Sequence, residues 1–210
     1  MIKVSLKDGS ILEVEKGSSI LDVAKKISEG LARVATCGEI DNEIKDLRYE
    51  IKEDCNLVIH TFNNDDLDGK KAYWHTTSHI MAQAVKRLFP DVKFAIGPSI
   101  DEGFYYDFDV EKPFTDEDKE KIEQEMKKII KENIKIERFS LPKQEALELM
   151  EGQPYKQELI NELPEGEEIS FYKQGDFTDL CAGPHLESTG KVKTVKILSS
   201  SGAYWRGSEK

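Results

Sequence analysis

The 210-residue sequence predicts an α+β fold divided into two units, residues 1–62 and residues 63–210. The first unit contains short runs in which apolar and polar residues alternate, arranged around one helical segment. The second unit combines long segments of helical periodicity with strand-like runs, which is typical of an α+β domain with a mostly antiparallel sheet. Between them, the polar stretch NNDDLDGKK reads as a linker or as the lead-in of a helix.

The first unit has the pattern of a small β-grasp (ubiquitin-like) domain. Apolar residues alternate in residues 2–6 and 11–14, and Asp8-Gly9 lies between these runs, which is a strong hairpin signal. Ser18-Ser19 then offers an N-cap to a helix whose apolar residues repeat at helical spacing. Two strand-like runs follow this helix, VATCGEI and NLVIHTF. A hairpin, one helix and two or three further strands make up the β-grasp pattern.

Two long helices are predicted in the second unit. One spans residues 73–89, with apolar residues on one side and Pro90 just past its end. The other begins after Thr115, because Thr115 and Asp118 have the spacing of a capping box. The strand candidates are KFAIG, FYYDFDV, IKIERFSL, ISFY and VKILS, and the short helix candidates are EALELMEG and PYKQELINEL.

The composition, with 38% hydrophobic and 34% charged residues, indicates a water-soluble globular protein. The sequence contains no run of the roughly 20 apolar residues that a bilayer span requires. Its start, MIKVSLKDGS, lacks the pattern of a secretory signal. The three cysteines, Cys37, Cys55 and Cys181, are odd in number and widely spaced, which argues against a disulfide framework. A cytoplasmic location and no membrane partner are therefore expected.

The charge distribution restricts how the chain could contact RNA. A net charge of −11 argues against binding through a general electrostatic attraction, because phosphate contacts need lysine and arginine. The last twenty residues differ, since five basic residues face Glu209 alone and give a sum of about +4. These basic residues are Lys191, Lys193, Lys196, Arg206 and Lys210. Any RNA contact is therefore expected to be local.

Two histidines four residues apart, His75 and His79 in HTTSH, form the first candidate site. On the predicted helix this spacing places both imidazoles on one face. A lone histidine on a helix is more often structural than functional, and a pair at this spacing gives the functional reading more weight. HTTSH lacks the glutamate of the HExxH metalloprotease motif.

Cys181 and His185 in DLCAGPH form the second candidate site. Gly183-Pro184 does not fit inside a helix, so the segment is predicted to be a turn that orients a thiol and an imidazole. The alternative reading of Cys181 is a small buried apolar residue. The polar neighbour Asp179 and the rigid, non-apolar local sequence weaken that alternative.

The two pairs together admit two kinds of site. Three histidines and a cysteine are a plausible set of nitrogen and sulfur ligands for zinc. A metal-free catalytic cluster is equally compatible with the spacing, and Lys156 and Asp179 could supply charge to it. The fourth histidine, His60, lies in a strand-like run of the first unit and is given no role.

Two further features give weaker signals. The run Phe104, Tyr105, Tyr106 follows Gly97-Pro98, and alternating aromatic residues in a strand usually form a core face and one exposed face. A tyrosine on the exposed face could stack on a base or a ribose. The stretch SSSG, residues 199–202, reads as a flexible turn rather than a catalytic serine site.

Four motifs in order, HTTSH, AIGPSIDEGFYYDF, DLCAGPH and SSGAYWRG, closely resemble the editing domain of bacterial-type threonyl-tRNA synthetases. The first sixty residues resemble the ubiquitin-like TGS domain that precedes it in those enzymes. The resemblance covers essentially the whole chain, and the combination of motifs is highly specific. HxxxH with CxxxH also occurs in the related alanyl-tRNA editing proteins.

The resemblance implies an N-terminal fragment whose pocket receives the 3′ end of tRNA(Thr) mischarged with serine and hydrolyses the seryl ester. The residues that it places in the catalytic pocket are His75, His79, Lys156, Asp179, Cys181 and His185. The residues that it assigns to substrate binding are Gly97, Tyr106 and Arg206.

The resemblance also implies what the fragment uses and lacks. The editing pocket is expected to need no metal or other cofactor, whereas full-length members use ATP, magnesium and a zinc ion in the catalytic core that follows. Synthesis of aminoacyl-tRNA is therefore not expected of these residues alone. The family dimerises through that core, so the fragment is expected to be a monomer.

Serine differs from threonine by one methyl group, and a contact of that size discriminates by only about 1–3 kcal/mol. A second site that is too small for threonine can hydrolyse the seryl ester that the synthetic site makes in error.

We hypothesise that His75 and Lys156 position or polarise the water and the ester. Cys181, His185 and Asp179 would hold the serine amino and hydroxyl groups and transfer protons, without a covalent intermediate on Cys181. The alternatives are a zinc-dependent hydrolase and a non-catalytic RNA-binding or regulatory module.

Overall fold

Residues 2–61 fold around one mixed sheet in the computed structural model, which describes residues 1–206. The strands of this sheet are β1 (Ile2–Leu6), β2 (Ile11–Val14), β3 (Ala35–Ile40), β4 (Glu43–Lys45) and β5 (Cys55–Thr61). They lie in the order β2-β1-β5-β3-β4, with β1 parallel to β5 and the other neighbouring pairs antiparallel. Two helices, α1 (Ile20–Ile27) and α2 (Glu29–Val34), connect β2 to β3. The predicted β-grasp fold is confirmed.

Local signals explain most elements of this first unit. Gly9 has a φ of +85° in the turn between β1 and β2, a conformation that suits glycine. Ser19 caps α1 as predicted, because its hydroxyl accepts from the Asp22 N–H and the Asp22 carboxylate accepts from the Ser19 N–H. The sequence did not predict α2, whose N-cap Ser28 also ends α1. One apolar core results, formed by Ile2, Val4, Val14, Ile20, Val23, Ala35, Leu47, Ile51, Cys55 and Leu57.

The first helix of the second unit, α3 (Leu67–Leu88), begins before the predicted start at residue 73. The reason is Asp66, whose side chain accepts hydrogen bonds from the N–H groups of Gly69 and Thr61 and starts the helix within the expected linker. A Cβ at Gly69 would stand 2.0 Å from the Thr61 carbonyl oxygen, so only glycine lets the first helical turn lie this close to β5. The polar stretch is thus mostly a capped helix start that lies against the first unit.

The other helices of the second unit largely match the predictions. They are α4 (Asp116–Glu132), α5 (Lys143–Leu149) and α6 (Pro154–Glu162), and a 3-10 turn spans Thr189–Lys191. The predicted capping box starts α4, since Thr115 and Asp118 exchange side-chain to backbone hydrogen bonds. Both predicted short helices are present, as α5 and α6.

The strands of the second unit are short and pair antiparallel. They are β6 (Lys93–Phe94), β7 (Ser99–Ile100), β8 (Gly103–Phe104), β9 (Phe108–Asp109), β10 (Ile136–Leu141), β11 (Ile169–Gln174) and β12 (Phe177–Leu180). β11 lies between β10 and β12, while β6 pairs with β9 and β7 with β8. The predicted α+β class with mostly antiparallel sheets is confirmed.

Two strand predictions are wrong. The run FYYDFDV is not one strand, because Phe104 pairs back with Ser99 whereas Phe108 pairs with Phe94. The run VKILS forms no strand within the described residues. Its residues Val195 and Ile197 pack against the helical core instead, whereas Leu198 is exposed, and the Ile197 N–H donates to Glu123 of α4. The sequence also gave no prediction of β12, which carries Asp179.

The core of the second unit lies mainly between α3, α4 and the short strands. Its fully buried members include Ile80, Val85, Met126 and Ile129. The same helix α3 also buries polar side chains, of which Thr76 contacts His185 and His79 contacts Asp179. In the described part of the chain, no helix combines the length and apolarity that crossing a bilayer would take.

Candidate active site

Helix α3 and the loop after β12 bring the two predicted pairs together in one cluster. The Cys181 sulfur lies 3.3 Å from His75 Nε2 and 3.1 Å from His185 Nε2. The His79 ring stands edge-on to the His185 ring, with 4.4 Å between their centroids. One potential ligand atom from each of the four residues lies within 4.8 Å of all the others. We call these four residues, His75, His79, Cys181 and His185, the His/Cys cluster.

Burial makes the His/Cys cluster electrically neutral near pH 7. Desolvation lowers the pKa of His75 to about 4 and that of His79 to about 3, and it holds the pKa of His185 well below its usual range. Desolvation also raises the pKa of the Cys181 thiol to about 12, although a hydrogen bond from the Gly183 N–H acts in the opposite direction. The sulfur is therefore a protonated thiol, which is a poor nucleophile.

The four residues of the His/Cys cluster differ in exposure. His79 and His185 are 3% and 1% exposed, and Cys181 is 9% exposed. His75 is the partly exposed member of the four. Any substrate group that reaches the cluster in this conformation would meet His75 first.

A buried ion pair adjoins the cluster. Lys156 Nζ of α6 lies 2.8 Å from the Asp179 carboxylate of β12, and both side chains are nearly inaccessible to water. The Tyr106 hydroxyl donates to Asp179 at 2.7 Å, and His79 Nδ1 lies 3.6 Å from the same carboxylate oxygen. Burial alone would raise the pKa of Asp179, but Lys156, His79 and the Tyr106 hydrogen bond together lower it. The carboxylate thus stays charged and connects Lys156 to the His/Cys cluster.

Gly97 and Tyr106 lie against each other beside this pair. A Cβ at Gly97 would stand 2.0 Å from the Tyr106 ring, so the absence of a side chain allows the backbone to approach it. Ser78 of α3 donates to the Gly97 carbonyl at 2.6 Å. Tyr106 is buried and burial raises its pKa, whereas its neighbour Tyr105 is 40% exposed. In this structure Tyr106 therefore orients Asp179.

Arg206 and His60 lie outside the cluster. The Arg206 guanidinium pairs with Glu162 and with Glu158, the latter at 3.0 Å, on the exposed side of α6. His60, which has no assigned role, lies between the carboxylates of Asp66 and Glu39. Of the basic terminal segment, Glu209 and Lys210 lie outside the described residues.

Several residues that support the site were not predicted from the sequence. Thr76 Oγ1 lies 2.9 Å from His185 Nδ1 and accepts a hydrogen bond from the Leu186 N–H. Its position inside HTTSH was an available signal. The Tyr172 ring packs edge-on against the His185 ring at 4.4 Å, and nothing local in ISFY indicated this. Asp46 and Arg48 of the first unit also contact the His185 segment, from more than a hundred residues away.

Two cavities lie near these elements. One, of about 250 Å³, is lined by Lys156 and Asp179 together with apolar residues that include Phe94 and Phe177. A larger one, of about 620 Å³, lies between the units and has none of the candidate site residues in its lining. Its basic lining residues are Arg33, Lys135, Lys191 and Lys193. Of these two cavities, the smaller one is therefore the one lined by candidate catalytic residues.

Comparison with known proteins gives two domain matches. The TGS domain matches residues 2–61. The threonyl and alanyl tRNA synthetase second additional domain matches residues 169–210, which include β12 and the loop that carries Cys181 and His185.

Curated relatives match over essentially the whole chain. The threonine–tRNA ligase of Acetivibrio thermocellus is 66% identical over 100% of this chain and 33% of its own length. The threonine–tRNA ligases of Clostridium perfringens and Caldanaerobacter subterraneus are each 61% identical, over 100% and 99% of this chain and 32% of their own lengths. The chain thus spans about a third of the length of these relatives.

Proposed function

We propose that this chain, which corresponds to the N-terminal region of threonine–tRNA ligases, hydrolyses the ester that joins serine to mischarged tRNA(Thr). The observation that carries the proposal is the neutral His/Cys cluster, coupled through His79 and Asp179 to a buried lysine. Cys181, His185 and Asp179 all lie in the segment that matches the second additional domain of threonyl and alanyl tRNA synthetases. The site thus combines proton-transfer groups with a fixed positive charge.

The proposed reaction needs this combination. A threonine site cannot exclude serine, since the missing methyl group changes binding by only about 1–3 kcal/mol. A second site that admits serine and rejects the larger threonine would correct the error by hydrolysis. Hydrolysis of a ribose ester requires a positioned water, a route for its proton and stabilisation of the negative charge that develops on the carbonyl oxygen.

His75 and Lys156 act on the water and the ester in this proposal. His75 is neutral and is the partly exposed member of the His/Cys cluster, so the attacking water can approach its ring. A continuous path leads from its Nε2 through the Cys181 sulfur to His185 and Thr76. The Lys156 ammonium, which lines the 250 Å³ cavity, stabilises the developing oxyanion.

The remaining residues hold the serine. Asp179 is a buried carboxylate and binds the amino group, while the Cys181 thiol and His185 contact the side-chain hydroxyl. A covalent role for Cys181 is disfavoured because its pKa is raised to about 12, which leaves the sulfur protonated. Water is therefore the nucleophile in this mechanism.

The test is deacylation of seryl-tRNA(Thr) and threonyl-tRNA(Thr) by the chain, its His75→Ala variant and its Lys156→Met variant. We expect rapid loss of serine, retention of threonine, and a loss of activity in both variants. Lys173→Ala is the matched control, because Lys173 is an exposed lysine of β11. If the ester of seryl-tRNA(Thr) is not hydrolysed, a seryl ester of a short 3′-end mimic at high concentration distinguishes weak tRNA binding from an absence of catalysis. Failure to cleave the mimic would refute the proposal.

A zinc-dependent hydrolase is the second candidate, supported by one observation. Three histidines and one cysteine have potential ligand atoms within 4.8 Å of one another, and they are residue types that zinc prefers. Binding would require the Cys181 thiol to lose its proton. We propose that editing needs no metal, so activity should persist in chelator. Stoichiometric zinc by elemental analysis, lost together with activity in chelator, would favour the second candidate.

A further inference from the structure

We infer that the first unit contributes two positioning residues to the active site, Asp46 and Arg48, which fix the backbone of His185. The inference rests on the proposed function and extends it to a domain that contains none of the candidate catalytic residues. Asp46 and Arg48 follow β4, on the segment between β4 and β5. Their side chains cross to the loop that carries Cys181 and His185.

Asp46 holds the N–H side of His185. Its Oδ2 accepts a hydrogen bond from the His185 N–H at 3.0 Å and a second from the Tyr172 hydroxyl at 2.8 Å. The Asp46 side chain is only 9% exposed, so these bonds face little competition from water. The Tyr172 ring also packs against the His185 imidazole. Asp46 therefore orients the backbone of His185 and the aromatic ring that contacts its side chain.

Arg48 holds the carbonyl side of the same residue. Its guanidinium donates to the carbonyl oxygens of His185 at 3.1 Å, Leu186 at 2.7 Å and Ile136 at 2.6 Å. The same group donates to the Asp46 carboxylate at 2.9 Å, so the two residues form one rigid unit. The planar guanidinium of arginine carries five N–H donors in a fixed arrangement, whereas a lysine ammonium carries three. Both backbone polar groups of His185 are therefore bonded to the first unit.

The loop has little freedom to compensate for the loss of these contacts. Gly183 lies so close to Tyr172 that a Cβ would stand 2.1 Å from the hydroxyl oxygen. The His185 imidazole contacts Cys181 at 3.1 Å and Thr76 at 2.9 Å, distances that a backbone shift of a few tenths of an ångström would alter. Asp46 and Arg48 act through His185 and do not contact the ester, so their loss should lower kcat more than it changes KM.

The experiment compares seryl-tRNA(Thr) deacylation and amide hydrogen exchange in the wild type, Asp46→Ala, Asp46→Asn and Arg48→Met. We expect kcat to fall about tenfold or more in Asp46→Ala and Arg48→Met, with KM within about twofold, as for a displaced catalytic group. Asp46→Asn keeps an oxygen acceptor for the His185 N–H, so its kcat should fall less. The His185 amide should exchange faster in the two severe variants, while amides of α4, which Asp46 and Arg48 do not contact, keep their rates. Lys45→Ala, at a neighbouring and partly exposed position that does not contact the His185 loop, should match the wild type.

If the wild type is active, either of two results would overturn the inference. One is a kcat within twofold of wild type in Asp46→Ala and Arg48→Met. The other is a fall in kcat that accompanies faster exchange throughout the second unit, because that pattern indicates general destabilisation. If the wild type cleaves no seryl ester, the proposed function fails, and exchange alone decides the positioning role. Faster exchange confined to residues 181–187 would uphold it, and unchanged exchange there would refute it.

Discussion

The two units of the chain bury side chains of different kinds. The first unit is closed by a core of apolar residues from its sheet and α1. Of the fourteen buried polar or charged side chains within residues 1–206, only Thr36 and His60 belong to it. The second unit buries the other twelve, many of them where α3, α6, β12 and the loop after β12 meet. Burying polar groups costs free energy unless they are paired, so the stability of the second unit depends on how these side chains are partnered.

The polar groups of the second unit are nevertheless satisfied. In the described residues, every buried side-chain nitrogen or oxygen atom has a hydrogen-bond partner. The stability of the second unit therefore depends on complete polar pairs more than that of the first unit does. Substitutions that remove one partner of a pair test this difference most directly.

The largest effect is expected from Asp179→Ala. This change leaves the Lys156 ammonium buried without its counter-ion, and breaking a buried pair in this way costs about 3–5 kcal/mol of unfolding free energy. Chemical denaturation of the variant and the wild type measures the difference. The exposed pair Arg138–Glu168 provides the control, since Glu168→Ala should cost no more than about 1 kcal/mol.

A double variant sharpens the same comparison. Lys156→Met with Asp179→Leu replaces both charges by apolar groups and should recover much of the stability lost in Asp179→Ala, because no unpaired charge remains. Deacylation should stay absent. Equal losses of stability in the single and double variants would show that packing, not charge pairing, determines the cost.

A core substitution in the first unit should lower stability and leave the catalytic rate nearly unchanged. Leu57 of β5 is 1% exposed, and Leu57→Ala should cost about 2–5 kcal/mol through lost burial and the cavity that remains. Its kcat in the proposed deacylation of seryl-tRNA(Thr) should stay within about twofold of wild type at temperatures where the variant is folded. A tenfold fall in kcat without unfolding would show that the apolar core itself shapes the active site.

The histidines give the second unit a pH dependence. The pKa of His75 is about 4 in the folded chain against an ordinary value of 6.5, so below pH 6.5 the unfolded state gains a proton that the folded state does not take up. Stability is therefore fully present above about pH 6.5 and falls as the pH drops towards 4, by up to about 1.4 kcal/mol per pH unit for this residue. His75→Gln should reduce that slope. Urea denaturation at several pH values in metal-free buffer measures it, and an unchanged slope would contradict the prediction.

The first unit was largely predictable because its signals are local. A hairpin turn at Gly9, a cap at Ser19 and alternating strands each depend on residues a few positions apart, and the structure has all three. In the second unit, the signals for the histidine pair on α3 and for the turn of DLCAGPH are equally local, and both features were predicted. Short strands such as β12 were missed, since two to four residues give periodicity too few positions to be detected.

The assembly of the site was less predictable. The spacing of the residues indicated two pairs. The two pairs meet because β11 pairs with β12 and because α3 packs beside them, and no local sequence pattern encodes these contacts. The role of Asp46 and Arg48 was invisible for the same reason, since their partners lie in another unit. The start of α3 was misplaced because the Asp66 cap is completed by an N–H of β5.

The smallest effects are expected at the two capping boxes, one in each unit. Ser19→Ala and Thr115→Ala each remove a side-chain acceptor from a helix N-terminus, which costs about 1 kcal/mol. The two losses should be similar, because each box bonds only within its own helix start and neither touches the buried polar groups. Thermal denaturation of both variants measures them. A much larger loss for Thr115→Ala would show that the polar core of the second unit amplifies damage at its periphery, and the contrast between the units would then extend beyond the active site.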